Sequence, residues 1–138
     1  MSKGAAAPQE PGTAARPGAL VAAVVLAVLE GLAIAAYAVT IGVSALQTSG
    51  SPAAPPVEIA LYLIFAAGLL AIARGLWNRR SMARTPFAVA QLFGLVTGWT
   101  LTQGDGDLVH RLGYVVLAAS VVGIALIMSP AVGESLDA

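Results

Sequence analysis

The sequence has no cysteine, which excludes disulfides, thiolate metal sites, iron–sulfur clusters and cysteine nucleophiles. It has one histidine, His110, so one chain cannot supply two histidine ligands to a haem. Charge is scarce as well. Seven basic and seven acidic residues make up 10% of the chain and cancel to a formal net charge of zero. No global field draws such a chain to nucleic acid. There is no P-loop, no GxGxxG and no HExxH. Gly133-Glu134-Ser135 is not a nucleophile elbow and has no histidine–acid partner. With no catalytic motif and no implied cofactor, the expectation is a protein that is not an enzyme.

Apolar residues are plentiful. Hydrophobic residues form 58% of the chain and the mean hydropathy is +0.85. Soluble domains are about a quarter charged, so this composition leaves too few polar side chains to cover a water-exposed surface. Disordered chains are poor in apolar residues, so disorder is not the explanation of the low charge. The remaining class is an integral membrane protein.

A spanning helix needs about 20 mostly apolar residues. Four runs qualify, at about 18–47, 57–77, 86–103 and 108–128. None alternates apolar with polar as a barrel strand does, and lipid offers the backbone no hydrogen-bond partner, so each run is expected to be helical. The expected fold is an all-α, antiparallel four-helix membrane bundle over residues 18–129. A disordered tail at 1–17 and a short tail at 130–138 flank it. Turn chemistry punctuates the runs. Thr48 to Pro56 reads TSGSPAAPP, a loop with Pro56 placed for a first helical turn and Glu58 at the positive helix end. Thr85 is the expected N-cap of the third helix, Asp107 the cap of the fourth, and Pro130 its stop.

The basic residues set the orientation. Lys3, Arg16, Arg74, Arg79, Arg80 and Arg84 fall on one side of the four runs, and only Arg111 falls on the other. Basic residues near helix ends favour the cytoplasm, which predicts both ends of the chain inside. Ala33-Ile34-Ala35 resembles a signal-peptide cleavage site, but apolar sequence runs well past it, so the first run is expected to stay as a span. Arg79, Arg80 and Arg84 suit anionic lipid headgroups or simply fix topology.

Polar residues inside the runs are costly and therefore informative. Glu30 lies about 18 Å into the first run at the helical rise, near the midplane. A charge there costs about 3 kcal/mol or more, so Glu30 is expected to face other helices. It is either a carboxyl that binds a proton or cation, or a protonated group that holds a neighbouring helix. Tyr37 and Ser44 follow at sevens and share its stripe. Gln91, in the third run, needs a partner, with Glu30 the first candidate and Arg74 the second. Arg74 also reads as a snorkelling side chain at a helix C-terminus. Gly94 and Gly98 form a GxxxG, and Ala119 and Gly123 repeat its spacing in the fourth run. Such pairs serve contact within the bundle or dimerisation equally well. Thr97, Thr100, Thr102 and Gln103 add polarity to the third run, and Trp77 and Trp99 read as interface anchors. Asp105, Asp107 and His110 offer oxygen and nitrogen to a divalent metal, although turn chemistry and pairing with Arg111 account for them without one.

The Ala/Gly/Val/Arg-rich composition is similar to that of proteins from high-GC bacteria. The stretch from Trp77 to Gln103, WNRRSMARTPFAVAQLFGLVTGWTLTQ, resembles one in small actinobacterial four-helix membrane proteins. The pattern is a basic loop, Arg84-Thr85-Pro86, Gln91-Leu92, Gly98 and Gln103-Gly104, over about a fifth of the chain. It implies the membrane class and a bacterial plasma membrane, and carries over no activity or site residue. Two functions remain as expectations. One is a non-enzymatic accessory or oligomeric subunit acting through lipid, partner helices or copies of itself. The other is a small oligomeric carrier or proton-coupled channel centred on Glu30, with Tyr37, Gln91 and Arg74 in support.

Overall fold

Each apolar run becomes a helix. A computed structural model describes residues 15–47 and 56–138. Among these residues the chain is helical throughout, with no strand: α1 (Gly18–Gln47), α2 (Pro56–Trp77), a 3-10 turn (Ser81–Ala83), α3 (Arg84–Thr102), α4 (Asp107–Ile127) and α5 (Pro130–Asp137). The helices α1, α2 and α4 are long and apolar enough to cross a membrane. α3 is helical over 19 residues but more polar, because it carries Gln91 and four threonines. Most of the expected N-terminal tail, with Lys3, and the expected loop at 48–55 lie outside the described residues.

Three boundary expectations need correction. Thr85 does not cap α3. The 3-10 turn runs into the helix at Arg84, with Ala83 in the cap position, and Pro86 sits inside the first turn. Proline is tolerated there because the first four amides of a helix have no partner within it. Asp107 is the first residue of α4 rather than its cap. Gly106 takes that position with φ 104°, a left-handed conformation that glycine adopts without strain. Pro130 does follow the end of α4, but it does not lead into a tail. Its fixed φ suits a first helical turn, and it opens a fifth helix. Val132 and Leu136, four apart, are buried, so α5 docks one apolar face.

The end of α2 is a tight stop. Arg80 N–H donates to the Gly75 carbonyl and Arg79 N–H to the Leu76 carbonyl, both at 2.9 Å, and Arg79 has φ 54°. This is the Schellman arrangement, with arginine where glycine is usual. The tight stop starts the 3-10 turn and brings α3 back beside the bundle.

Packing is by hairpins. α1 runs along α2, with Gly31 against Ala66 and Leu70. α3 runs along α4, and the two hairpins meet mainly between α1 and α4. The main buried cluster lies at one end only. Leu20, Ala23 and Ala27 of α1 meet Ala73 and Leu76 of α2, Ala83 of the turn, Phe87 of α3, Ile127 of α4 and the α5 pair. Arg16, Arg74, Arg79, Arg80 and Arg84 surround the same end. At the other end, α1 and α2 leave a groove of about 500 Å³ lined by Ala38, Gly42, Ala45, Pro56, Ile59 and Leu63, with Val39, Val43 and Leu46 at its margins.

Candidate functional site

Two polar residues of the interior, Glu30 and Gln91, meet where the two hairpins touch. Gln91 Nε2 donates to Glu30 Oε2 at 2.9 Å, joining α3 to α1. The pairing follows from cost: two polar side chains in an apolar bundle are each cheaper together than alone. Gln91 is 1% exposed and Glu30 is half-buried. The amide is pressed against α4, where a Cβ added at Gly123 would lie 2.5 Å from both Gln91 Cδ and Oε1. Only glycine leaves room for it.

The same device repeats along the α3–α4 seam. Ser120 of α4 seats on Gly94 of α3, so closely that its Oγ occupies the place of a Cβ there. Next, Leu117 of α4 covers Gly98, where a Cβ would lie 2.8 Å from the Leu117 backbone nitrogen and 3.1 Å from the Gly113 carbonyl. Last, Thr102 of α3 covers Gly113, where a Cβ would lie 2.7 Å from the Thr102 nitrogen. Each layer pairs one glycine with one larger residue, and the glycine changes sides along the seam. Backbones can approach this closely only where the Cβ is absent. Gly94, Gly98 and Gly123 are therefore used inside the chain. Ala119 is only half-buried, and its neighbour Ser120 is the residue that meets Gly94.

The remaining candidates lie elsewhere. Tyr37 does not join Glu30 and Gln91. It is exposed and meets Tyr62 of α2 edge to face, with centroids 5.2 Å apart. The Tyr62 hydroxyl donates to Glu58 Oε1 at 3.3 Å, one turn away. Arg74 is exposed in the last turn of α2, whereas Gln91 is buried in α3. Arg16 lies over the Trp77 ring, 4.0 Å from its centroid, tying the start of α1 to the end of α2. Asp105, Asp107 and His110 are exposed, and among the described residues no three acidic or histidine side chains group as metal ligands would.

Two buried polar atoms have no hydrogen-bond partner at this site: Gln91 Oε1 and Ser120 Oγ. Sequence reasoning passed over Ser120. Its signal was present in the spacing, since Ser120 and Gly123 on one helix mirror Gln91 and Gly94 on the other. No protein-family model, no curated protein and no solved structure matches this chain.

Proposed function

We propose that the chain is a non-enzymatic subunit of a bacterial plasma membrane that crosses the bilayer four times, has both ends in the cytoplasm, and works as an oligomer of itself. The fourth crossing rests on α3. It lies beside α4 from the Gln91–Gly123 layer to the Thr102–Gly113 layer, so a membrane that contains α4 also contains α3. The cluster of arginines at the end shared by the start of α1 and the end of α2 supports the orientation.

One observation carries the oligomer: the groove at the far end of α1 and α2. Its floor holds Ala38, Gly42 and Ala45, and a Cβ at Gly42 would meet nothing closer than Ile59 Cδ1 at 3.9 Å. The α3–α4 glycines are already covered, whereas these small residues leave room for another helix to approach. A second copy brings the same groove and rim, as a self-complementary interface requires.

The chain has no native cysteine, so single introduced cysteines test this directly. Val39→Cys and Leu46→Cys, on the groove margin, are expected to cross-link between copies in native membranes. Val122→Cys, exposed on α4 away from the groove, is expected not to. A strictly monomeric protein that cross-links nowhere and co-purifies with nothing would overturn the proposal.

A second reading, an oligomeric carrier or proton-coupled channel, is favoured by one separate observation. Glu30 and Gln91 make a polar centre whose capacity for hydrogen bonding is not exhausted. Ion flux in proteoliposomes that survives Glu30→Gln unchanged would remove it.

A further inference from the structure

The arginines at the start of α1 and the end of α2 gather round one tryptophan. Arg74 and Trp77 stand three residues apart in the last turn of α2, so they are neighbours on one helix face. The Arg16 guanidinium lies over the Trp77 ring, 4.0 Å from its centroid. All three side chains are exposed. Arg80 follows, also exposed, where the tight stop turns the backbone back onto Gly75. Arg84 is half-buried and leans toward α5, where a Cβ at Gly133 would lie 3.8 Å from its Nη1.

Little at this end offsets the charge. Among the described residues, the five arginines there stand against two carboxylates, Glu134 and Asp137, both exposed on α5. The opposite end has the reverse balance, with Glu58, Asp105 and Asp107 against Arg111. Exposed apolar side chains share the arginine end: Trp77 is 43% exposed, Met82 87% and Met128 68%. Water suits the arginines and not the methionines. A phospholipid layer at headgroup level suits both, since phosphate meets guanidinium while acyl chains meet the apolar side chains.

We propose that Arg16, Arg74 and Arg80, grouped around Trp77, bind the headgroup of an anionic phospholipid, for which phosphatidylglycerol is the probe. A guanidinium fork holds a phosphodiester through paired hydrogen bonds, which a point charge does not do. Trp77 serves twice. Its ring holds Arg16, so that side chain has less freedom to lose when lipid binds. As an amphipathic ring it also settles at the level where headgroups meet chains. The inference rests on the membrane reading of the chain and is independent of oligomer formation through the α1–α2 groove.

The test uses the two tryptophans as reporters, one near each end of the bundle. Trp99→Phe leaves Trp77 at the arginine end. Trp77→Phe leaves Trp99, exposed in the last turn of α3, as the control. Each full chain is reconstituted in vesicles of phosphatidylcholine and phosphatidylglycerol, with one lipid or the other carrying brominated chains that quench tryptophan on contact. Quenching of Trp77 is expected to show a preference for phosphatidylglycerol of about fivefold, the gain that one basic residue provides at a negative surface. Quenching of Trp99 is expected to show none. Changing both Arg74→Gln and Arg80→Gln, at exposed positions, is expected to remove most of the preference while phosphatidylcholine still quenches. A preference at Trp77 no greater than at Trp99, with both lipids quenching, would overturn the site and leave the membrane reading standing. A preference that soluble glycerol phosphate abolishes would also overturn it, in favour of a free phosphate. Quenching of neither tryptophan by either lipid would overturn the membrane reading and the site with it.

Discussion

The α3–α4 hairpin and the α1–α2 hairpin use a similar set of apolar residues but close differently. In α3–α4, glycine on one helix receives a larger residue from the other in layer after layer, from Gln91–Gly123 to Thr102–Gly113. In α1–α2, Gly31 makes one such close contact, against the Ala66 carbonyl at 3.2 Å and the Leu70 side chain at 3.3 Å. Beyond it the two helices stay in contact through Tyr37 and Tyr62 and line the groove from Ala38 to Leu46. In lipid, where expelling water gives helices no reason to associate, close van der Waals contact does most of the joining. The hairpin with reciprocal glycines is therefore closed along its seam, whereas the α1–α2 pair leaves small residues open in a groove.

The largest test of this contrast is Gly98→Val. Its side chain would strike the Leu117 and Gly113 backbones, which cannot step aside. A loss of about 3 kcal/mol, the upper end for overpacking, is expected in mixed-micelle unfolding. A loss below about 1 kcal/mol would mean that the seam is not close-packed.

Gln91→Leu comes next, at about 2 kcal/mol, because it leaves Glu30 unpartnered. Adding Glu30→Leu is expected to restore most of that loss. A double-mutant cycle measures the coupling, and purely additive effects would show that the hydrogen bond does not join the hairpins.

Trp77→Leu probes the closed end of α1–α2. Loss of the Arg16 stacking is expected to cost about 0.5–1 kcal/mol, and Arg16→Gln should cost no more once Trp77 is gone. The smallest effect has the opposite sign. At Gly68 a Cβ would meet nothing within 4 Å, so Gly68→Ala is expected to stabilise by about 0.5 kcal/mol. Equal responses at Gly68 and Gly98 would erase the distinction between the hairpins.

Much of this was legible in the residues. Apolar length gave α1 its bounds, Gly18–Gln47, and located α2 and α4 to within a residue at either end. The cost of isolated polar groups was enough to pair Gln91 with Glu30. Direction around a helix was harder. Tyr37 shares a stripe with Glu30, yet seven residues carry it about 10 Å along the axis, where α2 with Tyr62 is the neighbour. The fifth helix escaped because Pro130 marks both a stop and a start, and a run of eight residues with two buried apolar side chains is legible only once α1 is there to receive it. Ser120 escaped because a hydroxyl among alanines and valines acquires meaning from the glycine opposite, which lies on another helix.

The reciprocal seam also bears on how the chain enters the bilayer during synthesis. α3 is the most polar of the four long helices, and its buried polar residues, Gln91 and Thr102, face layers supplied by α4. Until α4 has emerged from the ribosome, those residues have no glycine to rest against and α3 has little reason to leave the translocon. On the four-crossing proposal, the last two helices would enter lipid together, as one pair.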